Sequence, residues 1–393
     1  MNFEVFPYIF QKSKKTMHRL RNILQDRNTV IIKIGTNLLA EKDRGINIER
    51  INSIAKSVSY LRSLGKNVAI VTSGAIGAGV AAMRLSGRPK SIPESQATAA
   101  VGQPLLMEAY ENAFRKQRLA IAQILLTKDD FISRSRYVNA KNTFAVLFDK
   151  GVVPIINEND TVAVEEIKLG DNDNLSAMVA TLVEANIMIV LTDIDGLFSD
   201  DPALNHDAEM IRIVEKITPE IERFAKRNKN DLSTGGMITK IQAAKRCVKS
   251  GIAMIIANGK NPQAIDEIFS GEFRGTVFLP AQKKLSMRKQ WIGFVSSTAG
   301  TIVVDEGAKS ALLKLNKSLL PSGIVKIYGS FNVKDIISIL DTDGNEIGKG
   351  VTGYSSAELM KIKGKKSADI EAILRRKAPA EVVHRDNLAV IED

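Results

Sequence analysis

Between residues 29 and 280, short apolar runs alternate along the chain with longer segments whose apolar residues recur at helical spacing. The apolar runs predict β-strands at 29–35, 67–74, 119–127, 151–157, 187–193 and 252–259. The helical patterns fall between them, at 48–64, 96–117, 137–149, 175–185 and 237–250. Strands that alternate with helices in this way are typical of a mostly parallel sheet between two layers of helices. We therefore predict an α/β/α sandwich for this region.

From about residue 286 the pattern changes to short strands separated by glycine-containing turns. The segment SILDTDGNEIGKG predicts a β-hairpin that turns at Asp343-Gly344. A second, small and mainly β domain is therefore expected. The expected organisation is, in order, an extension at 1–27 that becomes helical near residue 14, the α/β/α domain at 28–282, a polar linker at 283–297, the β domain at 298–376 and a tail at 377–393.

The composition is that of an ordinary globular protein, with 393 residues, 44% hydrophobic and 25% charged. The single cysteine, Cys247, excludes an internal disulfide and fits a reducing cytoplasm. No apolar run approaches the roughly 18 residues that a membrane-spanning helix needs. The N-terminal apolar residues precede the basic ones, which is the reverse of a secretory signal. The net charge of +11 is spread along the chain, so an anionic substrate such as ATP explains it as well as a nucleic acid does.

The segment 154–176, PIINENDTVAVEEIKLGDNDNLS, concentrates carboxylates and carboxamides. The first run of these polar residues, at 157–160, follows an apolar strand. The second run, at 171–174, comes at the start of an apolar helix. Carboxylates accept hydrogen bonds or bind Mg²⁺, whereas carboxamides both donate and accept. Such a cluster suits a small zwitterion and a metal-bound nucleotide at the strand ends, where open α/β sheets bind ligands. The alternative is that these side chains only cap the helix and form turns, which needs one or two of them.

Glycine and lysine mark the other predicted strand ends. KIGTN at 33–37 places a lysine and a glycine at the end of the first strand, and TSGAIGAG at 72–79 leads from the second strand into a helix. TDIDGL at 192–197 forms a polar turn that could face an adenine and a ribose, and STGGMITK at 233–240 opens a helix with a lysine in its first turn. Helix N-terminal amides suit an anion. Each motif alone is also compatible with tight packing or an ordinary surface lysine.

Several other kinds of site are disfavoured. The sequence GxxxxGK[ST] is missing, which excludes a P-loop, and no GxGxxG follows the first strand, which argues against a dinucleotide-binding fold. The histidines, His18, His206 and His384, are scattered without metal-ligand spacing. A zinc site or a histidine-based triad therefore has little support.

Taken together and in this order, these segments resemble the amino acid kinase family, and within it the branch that phosphorylates glutamate and carries a C-terminal PUA domain. The matching motifs are KIGTN (33–37), VTSGAIGAG (71–79), AAVGQ (99–103), INENDTVAVEEIKLGDNDNLSA (156–177), TDIDGL (192–197), TGGMITK (234–240) and VDEGA…LLPSGI…G (304–329). The resemblance covers about residues 28–390. The chain departs from it at Ser233 and Lys334, where many relatives have glycine.

The resemblance implies transfer of the γ-phosphoryl group of ATP, with Mg²⁺, to the side-chain carboxylate of L-glutamate. The product is an acyl phosphate, and the reaction is the first step toward proline. Lys33 and Lys240 match the two lysines of the family, which approach the transferring group from either side, and Asp173 matches the carboxylate that holds both. Asp171 would lie near the substrate amino group or in the Mg²⁺ shell. The nucleophile is an ionised carboxylate at neutral pH, so no general base is needed.

The resemblance also implies binding positions. For glutamate they are Ser73, Asn157, Asp160 and Asn172. For ATP they are Lys33, Thr192, Asp193, Thr234, Gly235, Gly236, Met237, Ile238, Thr239 and Lys240. No residue is assigned as a metal ligand, because Mg²⁺ prefers phosphates and water. Feedback inhibition by L-proline and a cytoplasmic homo-oligomer are further expectations.

Two alternatives stay open at this stage. The chain could be a sister kinase that acts on acetylglutamate, aspartate or a nucleoside monophosphate. It could also be an RNA-binding protein, since PUA domains are known mostly from such proteins. The C-terminal region is nearly balanced in charge and poor in aromatic residues. Surfaces that bind single-stranded nucleic acid, in contrast, combine basic residues with aromatic ones.

Overall fold

The computed structural model describes residues 14–25, 29–41, 45–163, 172–227, 236–272, 274–281, 289, 292 and 298–390. The chain divides into two compact units, Met1–Lys284 and Leu285–Asp393. Within the described residues, no helix is both long and apolar enough to cross a membrane.

The first unit is built on an eight-stranded sheet. Its strands are β1 (Thr29–Ile34), β4 (Asn67–Val71), β5 (Ile121–Leu126), β6 (Val153–Glu158), β7 (Ile187–Thr192), β8 (Ile213–Val214), β9 (Ala253–Asn258) and β10 (Gly275–Phe278). The strands β2 (Ala40–Glu41) and β3 (Gly45–Ile46) form a separate two-stranded sheet. The order across the sheet is β5-β6-β4-β1-β7-β9-β10-β8. All neighbours are parallel except β9 and β10.

Helices cover both faces of this sheet. They are α1 (Lys14–Gln25), α2 (Thr36–Leu39), α3 (Ile48–Ser63), α4 (Ala75–Ala82), α5 (Ile92–Lys116), α6 (Lys128–Ile132), α7 (Arg134–Asp149), α8 (Asn172–Leu182), α9 (Pro219–Arg227), α10 (Met237–Lys249) and α11 (Ala264–Ser270). In the central strand β1, Val30 and Ile32 pack into one core with α3 and α5, whereas Ile31 points to the opposite face, where α8 contacts β1 and β7. The predicted α/β/α sandwich is confirmed.

The predicted strands are all present, and the differences lie at element ends. The helix predicted at 175–185 begins at Asn172, so the first turn of α8 contains polar residues that the prediction placed before the helix. The helix predicted at 96–117 begins at Ile92, where Ser91 and Glu94 form a capping box. The short strands β8 and β10 and the helices α9 and α11 were not predicted.

The second unit contains a five-stranded sheet with the order β12-β11-β13-β14-β15. Its elements are β11 (Gly300–Val304), α12 (Glu306–Leu315), β12 (Ile324–Tyr328), β13 (Ile336–Leu340), β14 (Glu346–Val351), α13 (Ser356–Ile362), α14 (Ile370–Leu374) and β15 (Leu388–Val390). The predicted hairpin is present as antiparallel β13 and β14, and Gly344 adopts a φ of +87° in its turn. The last strand comes from the segment expected to be a tail.

Candidate active site

Lys33 and Asp173 form an ion pair at the carboxyl end of the sheet. Lys33 is the fifth residue of β1, and Asp173 is the second residue of α8, which packs against that strand. The Nζ of Lys33 lies 2.6 Å from Oδ1 of Asp173. Asp173 is fully buried and Lys33 is 5% exposed. The two motifs, which are about 140 residues apart in sequence, therefore meet because β1 is central and α8 begins beside its end.

Lys240 binds the other oxygen of the same carboxylate. It stands in the first turn of α10, is 3% exposed and places its Nζ 3.1 Å from Oδ2 of Asp173. Burial alone would raise the pKa of the Asp173 carboxyl, but the ammonium groups of Lys33 and Lys240 hold it below its ordinary value. The N-termini of α8 and α10 add partial positive charge nearby.

This trio keeps a net positive charge in a place from which water is largely excluded. Two ammonium groups and one carboxylate sum to one positive charge. Burying charges is costly, and losing one partner of such a set leaves an uncompensated charge. The two buried ammonium groups lie side by side around one carboxylate. Such an arrangement is suited to binding a strongly anionic group.

A cluster of amides and hydroxyls lies beside the trio. The Nδ2 of Asn172 donates to the carbonyl oxygen of Thr72 at 2.6 Å, to Oγ of Ser73 at 2.8 Å and to Oδ1 of Asn157 at 3.1 Å. Asn157, which is 3% exposed, donates in turn to Oε1 of Gln103 at 2.9 Å. The structure thus brings Ser73, Asn157 and Asn172 together.

Gln103 belongs to this cluster but was not predicted as a site residue. It lies in α5, more than fifty positions from Asn157 in sequence, and its only signal was its place in the AAVGQ motif. Asp160 follows β6 in a turn and is half-buried. Asp160 is close in sequence to Asn157, a member of the cluster. Asp171 lies outside the described residues.

Two glycines, Gly79 of the VTSGAIGAG motif and Gly102 of the AAVGQ motif, allow α4 and α5 to pack closely against each other. A Cβ at Gly79 would lie 1.9 Å from the carbonyl oxygen of Thr98, and one at Gly102 would lie 1.8 Å from that of Ala75. For Gly79 the packing interpretation of the motif therefore holds. Gly74 has a φ of +105°, which only glycine adopts easily, at the point where the chain enters α4.

Two of the residues assigned to the nucleotide, Thr192 and Asp193, lie at the end of β7, next to β1. Thr192 is the last residue of β7, and its Oγ1 lies 3.2 Å from Oδ1 of Asp193. The Nδ2 of Asn37 donates to Oδ2 of Asp193 at 3.1 Å. Partial burial would raise the pKa of Asp193, but the hydrogen bonds that its carboxylate accepts lower it. Asp193 is therefore held as an anion beside α2, the short helix that follows β1.

The N-terminus of α10 presents backbone amides, and its N-cap residue is a glycine, which has no side chain to cap them. Gly236 precedes the helix without a side-chain cap, and Met237 is buried while Ile238 is 41% exposed. Thr239 and Lys240 point toward Asp173. Thr234 and Gly235 lie outside the described residues. In the described part of the chain, no group of three or more His, Cys, Asp or Glu side chains could hold a metal ion.

The fold and the trio define an α/β protein built to handle a strongly anionic group at the carboxyl end of its sheet. The sequence profile of the amino acid kinase family matches residues 28–258, and that of the PUA domain matches residues 300–374. The chain belongs to the amino acid kinase family.

Similar proteins are spread over several bacteria. A glutamate 5-kinase of Caldanaerobacter subterraneus is 49% identical over 92% of this chain and 98% of its own length. The glutamate 5-kinase of Geobacter sulfurreducens is 46% identical over 94% and 99%. That of Moorella thermoacetica is 45% identical over 96% and 100%. Within the amino acid kinase family, the chain therefore belongs to the glutamate 5-kinases, and neither alternative, a sister kinase or an RNA-binding protein, is favoured. Among solved structures, a carbamate kinase of Giardia lamblia bound to AMP-PNP has a TM-score of 0.48 and 17% identity, covering 65% of this chain and 99% of that one.

Proposed function

We propose that the protein transfers the γ-phosphoryl group of MgATP to the side-chain carboxylate of L-glutamate, giving L-glutamyl 5-phosphate for proline biosynthesis. The observation that carries this proposal is the buried trio in which Asp173 holds Lys33 at 2.6 Å and Lys240 at 3.1 Å. The chain's membership among the glutamate 5-kinases supports the choice of acceptor.

Phosphoryl transfer depends mainly on positioning and on positive charge around the transferring oxygens. Lys33 and Lys240 supply that charge from a largely dry site, where an ammonium group acts more strongly than in water. Asp173 fixes where both cations stand. The acceptor carboxylate is already ionised at neutral pH, so the site needs no side chain to remove a proton.

For glutamate we assign Ser73, Asn157, Asn172 and Asp160. The amide and hydroxyl groups of the first three converge within hydrogen-bonding distance and suit carboxylate oxygens. An acid such as Asp160 suits the α-ammonium group. These contacts would place the substrate between the polar cluster and the trio.

For MgATP we assign Lys33, Thr192, Asp193 and the start of α10, from Thr234 to Lys240. The backbone amides at the start of α10, which follow the N-cap Gly236, suit phosphate oxygens. Asp173 is committed to two lysines, so the metal ion would arrive with the nucleotide, held by its phosphates and water.

The test is a hydroxylamine trap. Purified protein with MgATP and L-glutamate should form the γ-hydroxamate, because hydroxylamine captures an acyl phosphate. Acetylglutamate, aspartate and UMP, assayed under the same conditions, should give far less ADP. The proposal is wrong if one of these three is turned over faster than glutamate.

We further propose that L-proline inhibits by competing with glutamate, since it carries the same α-carboxylate and a cationic amine. Proline titrated at several fixed glutamate concentrations should then give inhibition that glutamate relieves. Relief at no glutamate level would rule out overlapping sites.

We also propose a cytoplasmic homo-oligomer. The cytoplasmic location is supported by the single cysteine of the chain, Cys247, which is buried and can form no internal disulfide. Val101 and Leu105, one helical turn apart in α5, are about 40% exposed and offer an apolar contact. Sedimentation of Leu105→Glu beside the unchanged protein tests that contact, because the charged variant should sediment as a smaller species.

A further inference from the structure

Three side-chain amides form a chain of hydrogen bonds through the polar cluster. The Nδ2 of Asn172 donates to Oδ1 of Asn157 at 3.1 Å, and the Nδ2 of Asn157 donates to Oε1 of Gln103 at 2.9 Å. Asn172 opens α8, Asn157 lies near the end of β6, and Gln103 belongs to α5. The chain of amides therefore leads from the helix that carries Asp173 to a helix in another part of the site.

The direction of this chain is fixed at its first member. The Nδ2 of Asn172 also donates to the carbonyl oxygen of Thr72 at 2.6 Å, and a carbonyl oxygen can only accept. Asn172 must therefore present its NH2 group there, and Asn157 must turn its oxygen toward it. The NH2 group of Asn157 is then left to donate to Gln103. Gln103 accepts with its oxygen, so its own NH2 group points away from Asn157.

The NH2 group of Gln103 is available to a ligand. Gln103 is half-buried, and among the described residues its Nε2 has no hydrogen-bond partner. The side chain is already held through its oxygen, so little conformational freedom is lost when the nitrogen binds a further group. A donor that is held in place and adjoins Asn157 is suited to a carboxylate oxygen.

The position of Gln103 along the chain selects which carboxylate this is. Asn172 directly precedes Asp173, which binds Lys33 and Lys240. Gln103 is two hydrogen bonds further from that trio than Asn172 is. The side-chain carboxylate of glutamate must reach the trio, where the phosphoryl group is transferred in the proposed reaction. The α-carboxylate, at the other end of the substrate, is the one left for Gln103.

We propose that Gln103 is a substrate-binding residue whose NH2 group donates to the α-carboxylate of L-glutamate. The inference rests on the proposed function and adds to it a residue from α5. Gln103 lies away from the transferring phosphoryl group and binds the substrate equally before and during the transfer. Its loss should therefore raise KM for glutamate and leave kcat largely unchanged.

Two variants separate this role from a purely structural one. Gln103→Glu keeps an oxygen that accepts from Asn157 but has a second, anionic oxygen in place of the NH2 group. Gln103→Met has neither, and it leaves the NH2 group of Asn157, a residue that is 3% exposed, without its acceptor. An unpaired buried donor is costly, so the Tm should fall more in Gln103→Met than in Gln103→Glu.

Glutamate binding should follow the opposite order. KM for glutamate should rise by about tenfold in Gln103→Met, the order of one hydrogen bond to a charged group, and by roughly 100-fold in Gln103→Glu, where two carboxylates face each other. KM for ATP and kcat should stay within about threefold. Gln123→Glu, the same change of charge at an exposed position of β5, is the control and should keep KM for glutamate. If Gln103→Glu is the milder variant in both Tm and KM, Gln103 only supports Asn157 and the proposal is overturned.

A substrate analogue identifies the carboxylate. L-Isoglutamine carries an amide in place of the α-carboxylate and keeps the side-chain carboxylate, so the hydroxylamine assay detects its turnover as well. The carboxylate of Gln103→Glu can accept from that amide. The ratio of kcat/KM for isoglutamine to kcat/KM for glutamate should therefore rise by about tenfold or more over the unchanged protein. An unchanged ratio would overturn the assignment to the α-carboxylate. If the unchanged protein forms no hydroxamate from glutamate, the proposed function itself is refuted.

Discussion

Gly102 lies against the backbone of Ala75 so closely that a Cβ at position 102 would stand 1.8 Å from the Ala75 carbonyl oxygen. Ala75 is the first residue of α4, directly after the glycine turn that carries Ser73. Gln103, the neighbour of Gly102, reaches Asn157 in the polar cluster. The packing of α5 on α4 therefore fixes the distance between two parts of the proposed glutamate site.

Gly102→Ala should consequently damage both stability and activity. The contact is with backbone atoms, which cannot rotate away, so the helices must separate. We expect a loss of about 3 kcal/mol in the free energy of unfolding, at the upper end for overpacking. Urea unfolding of the variant measures this. Gly87→Ala, where a Cβ would meet nothing within 4 Å, is the control and should change stability by less than about 0.5 kcal/mol.

Replacing either lysine of the trio should lower turnover. Lys33→Met and Lys240→Met should each reduce kcat by roughly 10²-fold or more, the order for losing a charge that stabilises the transition state. KM for glutamate should change far less. Lys245→Met, in the same helix as Lys240 but paired with Glu222 at the surface, is the matched control and should keep kcat. Near-normal kcat in one of the trio variants would remove that lysine from the assignment.

Asp160→Ala should affect glutamate and not the nucleotide. We assign Asp160 to the α-ammonium group of glutamate, so its loss should raise KM for glutamate, by roughly tenfold if one charge-assisted hydrogen bond is lost, and leave KM for ATP almost unchanged. Steady-state kinetics with each substrate varied in turn measures both. Val162→Ala, two positions on and 61% exposed, should behave like the unchanged protein. Equal changes for both substrates would indicate a structural or metal-related role for Asp160.

The alternating pattern was sufficient to predict the main sheet because its central strands are buried on both faces. β1 and β7, for example, have continuous apolar runs that no helix pattern matches. β8 and β10, at one edge of the sheet, have two and four residues, too few for any period to be recognised. Helix α8 begins at Asn172, earlier than predicted, because polar first-turn residues look like a loop when only apolar spacing is followed.

The candidate site could likewise be predicted only in part from the sequence. Residue chemistry places Lys33, Asp173 and Lys240 at strand and helix ends, but their meeting depends on the strand order, which the local pattern does not contain. The expectation that Asp173 holds both lysines came from the resemblance. Gln103 was missed because glutamine within an amphipathic helix carries no signal of its own, and its partner Asn157 comes close only through the packing of Gly102 on Ala75.

Lys334 should be a site where glycine stabilises the second unit. Its φ is +76°, a left-handed conformation that costs a residue with a Cβ about 1–2 kcal/mol. Its amide also donates to the carbonyl oxygen of Thr352 at 2.8 Å, which holds the backbone in place. Lys334→Gly should therefore raise stability by about 0.5–1 kcal/mol after the larger chain entropy of glycine is subtracted. Thermal unfolding measures this, with Lys334→Ala as the control. Stabilisation by alanine as well would point to the lysine charge and not to the backbone.

The chain cut after Lys284 should fold and phosphorylate glutamate. Residues Met1–Lys284 form a compact unit of their own, and this unit contains the eight-stranded sheet, the trio and the polar cluster. The second unit has a separate core, formed around Ile302, Ile337 and Tyr354, and none of the assigned binding residues. A small domain of this kind usually acts by biasing a neighbour through the interface that it makes. We therefore expect kcat within about threefold of the full chain and a change in proline inhibition or in oligomer size, measured by the hydroxamate assay with proline titration and by sedimentation. A soluble truncated chain with a normal thermal transition and no activity would show that the second unit completes the active site.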